Sequence, residues 1–310
     1  MKNTSNPITT IPTSPQTSII VPVFNGQNVI RDCIDSLLNL NFPRQDREII
    51  VVDNGSSDHT PKILAEYSDL IHCYQEQHRG AAAARNHGID NSRGKWIAFT
   101  DADCVVDSEW LLNLVPHLTD PSVGIVGGKI LAKRPANKIE LFGERIHDQQ
   151  NAINLLCPPY VISMNWASPR QLLIEMGGFD TSLLRGQDLD LSYRIGAKGY
   201  SLVYEPESVV YHSNEKSLFG LFQEGSIHGF HNHLIYHKHR AYIEAKDEKK
   251  TQKAYQRLLE SFNNILTTKE NRFSEICQFV YVLGTVYGKM KREISFRRKK
   301  SIPSNQGESI

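Results

Sequence analysis

The chain has no run of the ~18–20 apolar residues that crosses a bilayer. Residues 1–17 are rich in Ser, Thr, Asn and Pro and have no apolar centre. They are therefore expected to be a disordered tail and not a signal peptide. Cysteine is sparse: Cys33, Cys73, Cys104, Cys157 and Cys277, an odd number with no C-x-x-C spacing. That argues for reduced thiols in a cytoplasmic setting rather than a disulfide frame or zinc site. Neither sign of charge dominates, with 35 Lys and Arg against 34 Asp and Glu, so nothing marks a nucleic-acid partner. No G-x-G-x-x-G follows the first apolar run, which disfavours a dinucleotide oxidoreductase. No glycine-rich basic loop lies near Asn25, which weighs against a nucleotidyltransferase. No Ser-His or Cys-His arrangement suggests an enzyme nucleophile.

What the chain does have is an ordered series of short β-branched runs ending in polar turns. Ser18–Phe24, Glu48–Val52, Leu70–Tyr74 and Trp96–Thr100 read as strands. Helical patterns over Asn28–Leu40, from Pro61, and over Ala81–Asn91 lie between them. That alternation predicts a parallel sheet with right-handed crossovers. Pro22 is out of place in a central strand and is acceptable only near its end. A further strand is expected over Val123–Leu131, helices over Pro169–Met176 and from Gln187 to Gly199, and two edge-like strands over Ser201–Tyr204 and Ser208–Tyr211. The stretch 133–160 has no readable period.

Ligands of open α/β sheets bind beyond the carboxyl ends of the strands. Carboxylates collect there. Asp53 and Asp58 follow the second strand, and Asp101 and Asp103 follow the fourth. Acidic oxygens in that place suit a hard divalent cation, which in turn holds phosphates. Asp101 and Asp103 also fit a solvated turn or a cap for a helix over Glu109–Leu118, and Asp58 fits a helix cap. Arg85 sits on a small-residue helix and could reach a phosphate, or be an ordinary surface arginine. Asp190 and Arg194 are four apart on one helix and should pair. Asp188 lies on a different face, free to point into a cleft. Trp166, beside Asn165, is either an aromatic face for a ligand to stack on or a core side chain. His212 ends a strand. Five histidines between His228 and His239 have no zinc-like spacing.

Beyond residue 213 the pattern is helical. Phe279–Gly288 is apolar, and basic residues from Lys289 to Lys300 follow. This end is expected either to lie peripherally on an anionic membrane surface or to be a packing helix with a solvated tail.

Six pieces in this order resemble family 2 glycosyltransferases of the GT-A fold. They are Val21–Asn25, Asp53–Asp58, Gly80 with Ala84-Arg85-Asn86, Asp101-Ala102-Asp103, Gly177–Asp180, and Gln187–Leu191 with Arg194. The resemblance covers residues 18 to about 212. It implies an α/β protein with a Rossmann-like, mainly parallel GT-A sheet flanked by helices and a helical C-terminal extension. The nucleotide-binding half would run over about 18–103, the acceptor half over about 104–212, and the helical region with its basic tail over 213–310. It also implies transfer of a sugar from a nucleotide-sugar donor, a UDP-sugar first, to a glycan or lipid-linked acceptor, with a divalent metal (Mn or Mg). Pro22, Val23, Asn25, Asp53, Arg85, Asp101 and Ala102 would line the donor. Asp103 and His212 would hold the metal, and Asp188 would be the catalytic base of an inverting reaction. Asp180, Trp166 and Gln187 would lie on the acceptor side. Gln187 departs from the family, which usually has Glu there. Two other readings remain: a degenerate, non-catalytic binding subunit, and a nucleotidyltransferase.

Overall fold

The computed structural model describes residues 15–246, 254–267 and 271–300. The expected tail falls outside these as far as residue 14, and Thr17 is already in a strand. The described residues divide into two compact units. One comprises residues up to 136 together with 143–214, and the other comprises 137–142 together with the chain from 215 onward.

In the first unit, among the described residues, eight strands form one sheet in the order β3-β2-β1-β4-β7-β6-β8-β5. They are β1 (Thr17–Val23), β2 (Arg47–Asp53), β3 (His72–Gln75), β4 (Trp96–Phe99), β5 (Cys104–Val106), β6 (Val123–Ala132), β7 (Trp166–Pro169) and β8 (Ser201–His212). The helices are α1 (Ile30–Leu38), α2 (Thr60–Ala65), α3 (Ala81–Asn91), α4 (Trp110–Leu114), α5 (Lys138–Ile146, which straddles the unit boundary), α6 (Gln149–Asn154), α7 (Arg170–Glu175) and α8 (Gln187–Ala197). The first four strands in chain order pair in parallel, β3 with β2, β2 with β1, and β1 with β4. Beyond them β7 runs antiparallel to both β4 and β6, β8 is parallel to β6, and β5 is antiparallel to β8.

Successive side chains of a strand point to opposite faces. Both faces of β1 are covered, so the run reads as uniformly apolar. Ile19 and Val21 pack with Cys33, Ile34 and Leu37 of α1 on one side. Ile20 joins Ile50, Val52 and the alanines of α3 on the other. Gly88 lets α3 approach closely, because a Cβ there would meet Ile20. Pro22 fits for a specific reason. Ile20 turns its carbonyl to Thr100 and Val23 turns its carbonyl to Asn54. Donors alternate along a strand, so Pro22 faces the β4 side, beyond the last rung, Ile20 with Phe99. Its missing N–H leaves no ladder bond unmade.

The sequence pattern missed β5 and β7, and it split β8 into two. β5 and β7 are three and four residues long, too short to show a period. β8 keeps one ladder to β6 through a register shift between Gly128 and Lys129.

The second unit is helical: α9 (Leu218–Lys238), α10 (Arg240–Lys246), α11 (Ala254–Thr267) and α12 (Arg272–Lys300). Ser217 caps α9 by accepting from the Gly220 N–H at 3.0 Å.

Candidate active site

The parallel half of the sheet sets neighbouring strand ends side by side, with β1 between β2 and β4. Asp53 ends β2 and is nearly buried, at 3% exposure. One of its oxygens accepts the Ser56 N–H at 3.0 Å. Asn25, two residues past β1, is held to the same turn: its N–H donates to the Ser56 hydroxyl (2.8 Å) and its side-chain oxygen accepts the Ser57 N–H (2.9 Å). Asn25 has φ of 51°, a left-handed conformation that Asn tolerates better than most residues. Asp58 accepts from the N–H groups of Gln27 (3.1 Å) and Thr60 (2.9 Å), one residue ahead of the α2 N-cap, His59, and so ties the turn after β1 to the start of α2. Pro22 and Val23 turn buried side chains into the fold. Only their backbone is left to border a ligand at that strand end. The exposed residues there are Phe24 and Asn25.

Asp101 and Asp103 follow β4. Asp101 is paired with Arg85 (2.6 Å), and Arg85 is only 3% exposed. The same guanidinium also donates to the Ser163 hydroxyl at 3.1 Å and to Oε1 of Gln187 at 3.0 Å. Its face lies over the Phe179 ring, 5.5 Å from the centroid. Arg85, expected to reach a phosphate, uses both Nη atoms on these protein acceptors, while its buried Nε has no hydrogen-bond partner among the described residues.

Ser163 also donates its backbone N–H to Oδ2 of Asp188 at 3.0 Å. Asp188 occupies the first turn of α8, where Oδ1 accepts the Leu189 N–H at 3.0 Å. A carboxylate is favoured at that positive end of the helix. Gly186 precedes α8 with φ of 74°, a left-handed conformation suited to glycine. Asp190 turns away, is fully buried and pairs with Arg194 (2.9 Å), as expected from their spacing. Asp101, Arg85, Gln187, Ser163 and Asp188 are thus linked by direct contacts across three separate parts of the chain.

Asp103 faces His212 at the end of β8, with Oδ2 3.5 Å from Nε2. The His212 Nδ1–H donates to Oδ1 of Asn214 at 2.7 Å, which leaves Nε2 on the Asp103 side. Burial alone would lower the His212 pKa. The Asp103 carboxylate and the Asn214 carbonyl outweigh it and push the group up to about 9. Burial likewise works to raise Asp103, and the His212 partner holds it below the usual carboxylate value. No cluster of three or more His, Cys, Asp or Glu among the described residues could hold a metal ion. The two expected ligands, Asp103 and His212, are brought together as a pair, an oxygen and an imidazole nitrogen, a donor set open to a divalent cation.

Beneath these carboxylates lie two buried thiols. Cys33 donates to the Asp101 carbonyl at 3.5 Å, and Cys104 donates to Oδ1 of Asp103 at 3.7 Å. Burial first, then the nearby aspartates, push both thiol pKa values up.

Burial overturns the expectation for Trp166, and Asn165 and Asp180 have partners within the protein. Trp166 is fully buried, stacked on Phe99 at 4.6 Å with Phe179 at its edge, so it offers no face to a sugar. Asn165 is a structural hub: its amide donates to the carbonyls of Lys129 (2.8 Å) and Ser208 (3.0 Å) and accepts from Trp110 (2.8 Å). Asp180 closes a turn by accepting from the Ser182 N–H and hydroxyl. Ala102 is half-buried against the core. Sequence reasoning missed Ser163 and Asn214, both of which touch predicted site residues. Ser163 lies in the aperiodic stretch before β7, where no local signal exists.

Curated proteins similar in sequence to this chain are glycosyltransferases. Glycosyltransferase AglE of Haloferax volcanii is 29% identical over 210 residues, covering 64% of this chain and 67% of that protein. The poly-beta-1,6-N-acetyl-D-glucosamine synthase of Staphylococcus aureus is 24% identical over 225 residues, covering 67% of this chain and 52% of that protein. Among solved structures, mannosyltransferase PcManGT from Pyrobaculum calidifontis, in complex with GDP-Man and Mn2+, superposes with a TM-score of 0.66 at 22% identity, covering 93% and 92% of the two chains. TarS of Staphylococcus aureus with UDP-GlcNAc gives 0.54 at 14% identity, covering 95% and 98%. At these identities the structural likeness establishes the fold. The profile of Glycosyl transferase family 2 matches residues 18–172, half of the chain, and the chain belongs to that family of glycosyltransferases.

Proposed function

We propose that the protein is an inverting, metal-dependent glycosyltransferase that moves a sugar from a nucleotide sugar to an acceptor hydroxyl in a single displacement. The observation that carries this reading is the contact chain from Asp101 through Arg85 and Ser163 to Asp188. It ties a donor-side carboxylate at a strand end to a carboxylate at a helix start.

Each group has a task suited to its setting. Asp53 keeps an oxygen that takes no hydrogen bond from the described residues, and it would accept from the nucleobase. Asn25 would border the nucleoside. Asp103 and His212 would hold the divalent ion, Mn or Mg, which when bound supplies charge stabilisation to the leaving diphosphate. Asp101, held in place by Arg85, would face the ribose or the ion. Asp188 would take the proton of the acceptor hydroxyl. Its carboxylate is fixed by two backbone N–H groups, so little reorganisation accompanies that transfer. The amide at Gln187 is no obstacle to turnover, because its Oε1 is the acceptor that Arg85 uses and the base stands at the next residue. PcManGT binds GDP-Man and TarS binds UDP-GlcNAc. A UDP-sugar is the first donor to try here, a GDP-sugar the second, and a glycan or lipid-linked sugar the acceptor class. Cell-envelope polysaccharide or glycolipid synthesis, on the cytoplasmic side, is the matching setting.

The test is product analysis. Incubation with sugar nucleotides, Mn2+ and a glycan acceptor should release nucleoside diphosphate and give a product of inverted anomeric configuration. Retained configuration would remove the single displacement. Pyrophosphate released from a nucleoside triphosphate would mark a nucleotidyltransferase instead.

A further inference from the structure

The helical unit carries an apolar surface that transfer chemistry does not use. Along α12, Phe273, Ile276, Val280, Leu283, Tyr287, Met290 and Ile294 follow one another at alternating spacings of three and four. Such residues share one helix face. The first part of α12 is packed by α11, where Phe262 meets Phe279 with ring centroids 5.8 Å apart. The last four members of the stripe stay open: Leu283 is 39% exposed, Tyr287 50%, Met290 56% and Ile294 51%.

The opposite face of α12 is committed to α9. Gly284 and Gly288 of α12 meet the carbonyls of Phe222 and Ser226, and Gly225 and Gly229 of α9 meet those of Tyr281 and Thr285. A Cβ at any of these four positions would collide with backbone. Two small-xxx-small faces therefore interlock at backbone distance. This packing fixes the roll of α12 and holds its apolar stripe outward.

We propose that the open stripe of α12 docks on an anionic lipid bilayer, with the helix lying in the plane of the membrane interface. Three observations choose this occupant. First, residues 289–300 carry seven Lys or Arg against one Glu, so the stripe is flanked and followed by strong positive charge. Second, no described helix is long and apolar enough to cross a membrane, so the surface lies on a bilayer and does not span it. Third, a second copy of the chain is a poor fit. The open stripe covers about two heptads where a coiled coil needs ~3–4, and a parallel pair would set two basic ends side by side.

The test is co-sedimentation of the full chain with vesicles. We expect pelleting with phosphatidylcholine mixed with phosphatidylglycerol, none with phosphatidylcholine alone, and release by high salt. Met290→Glu with Ile294→Glu alters only exposed side chains and should abolish pelleting while leaving thermal unfolding unchanged. Lys289→Gln and Lys291→Gln should each weaken partitioning about fivefold, the worth of one basic residue near an anionic surface. The salt series needs no variant, so it tests the idea even if a variant misfolds. Failure of the mixed vesicles to pellet the protein, equal pelleting with both lipids, or a dimer in solution that the double Glu variant dissociates would each overturn the proposal. Sugar transfer is not read in this assay, so its outcome is separate from the catalytic assignment.

Discussion

Replacing Arg85 is the most informative perturbation of the site. Its guanidinium is buried and makes three contacts at 2.6, 3.1 and 3.0 Å, to Asp101, Ser163 and Gln187. Arg85→Met removes the charge and strands those acceptors. Breaking a buried ion pair by removing one partner costs about 3–5 kcal/mol. The Asp101 side chain is 27% exposed, so water can reach the orphaned carboxylate, and a loss of about 2–3 kcal/mol is expected. In a unit of this size that lowers Tm by roughly 5–10 °C. The kinetic effect should be larger than stability alone suggests. Ser163, which Arg85 holds through its hydroxyl, positions Asp188 through its N–H. A displacement of about 1 Å at a reacting group costs roughly 100-fold in rate. We therefore expect kcat to fall about 100-fold, with a smaller change in the donor KM. Arg85→Lys keeps the charge but not the fork, so it should recover most of the stability and little of the rate. Thermal unfolding and initial-rate kinetics on the two variants decide the matter. The reasoning fails if Arg85→Met unfolds within about 1 °C of the parent and keeps kcat within about threefold.

Asp188→Asn should lower kcat by about 10²–10⁴-fold, the usual worth of a general base, while the donor dissociation constant stays unchanged. A matching loss of donor binding would move Asp188 out of that role. His212 has a folded pKa of about 9, above the ordinary 6.5. In the metal-free protein its stabilising charge is fully present below pH 6.5 and is lost as pH rises through 9. Mn2+ must displace that proton, so titrations should give affinity rising about tenfold per pH unit up to about pH 9, and a flat profile would argue against His212 as ligand. Trp166→Ala should cost about 3–5 kcal/mol in urea unfolding, as loss of a large core side chain does. Unchanged stability with a raised acceptor KM would restore the sugar-stacking role.

Strands β1, β2 and β4 were legible because each is an apolar run that ends in polar residues, whereas β3, His-Cys-Tyr-Gln, begins two residues later than the Leu70–Tyr74 expected. Asp53, Asp101 and Asp103 could be named for the same reason: a carboxylate just past a buried strand has a place before it has a partner. The Asp190–Arg194 pair followed from helical spacing alone. What was illegible depended on contacts distant in sequence. Arg85 and Ser163 are 78 residues apart, as are Ser92 and Arg170, which also bond. No local pattern encodes such a meeting. Trp166 was ambiguous because an aromatic residue in a four-residue strand carries no period. Burial decided it.

The two thiols under the acidic residues give the protein an internal reporter. Cys33 and Cys104 are fully enclosed and held in the unreactive thiol form, whereas Cys73 and Cys157 are exposed. An alkylating reagent should modify Cys157 first and Cys73 more slowly, because burial pushes the Cys73 thiol up to about 11. Cys33 and Cys104 should react only when the floor under Asp101 and Asp103 breathes open, with the buried Cys277 replaced by Ser to leave two classes. The lag between the two classes of adduct measures how often that floor yields. A sugar nucleotide that bridges the strand ends above it should lengthen the lag without touching either sulfur.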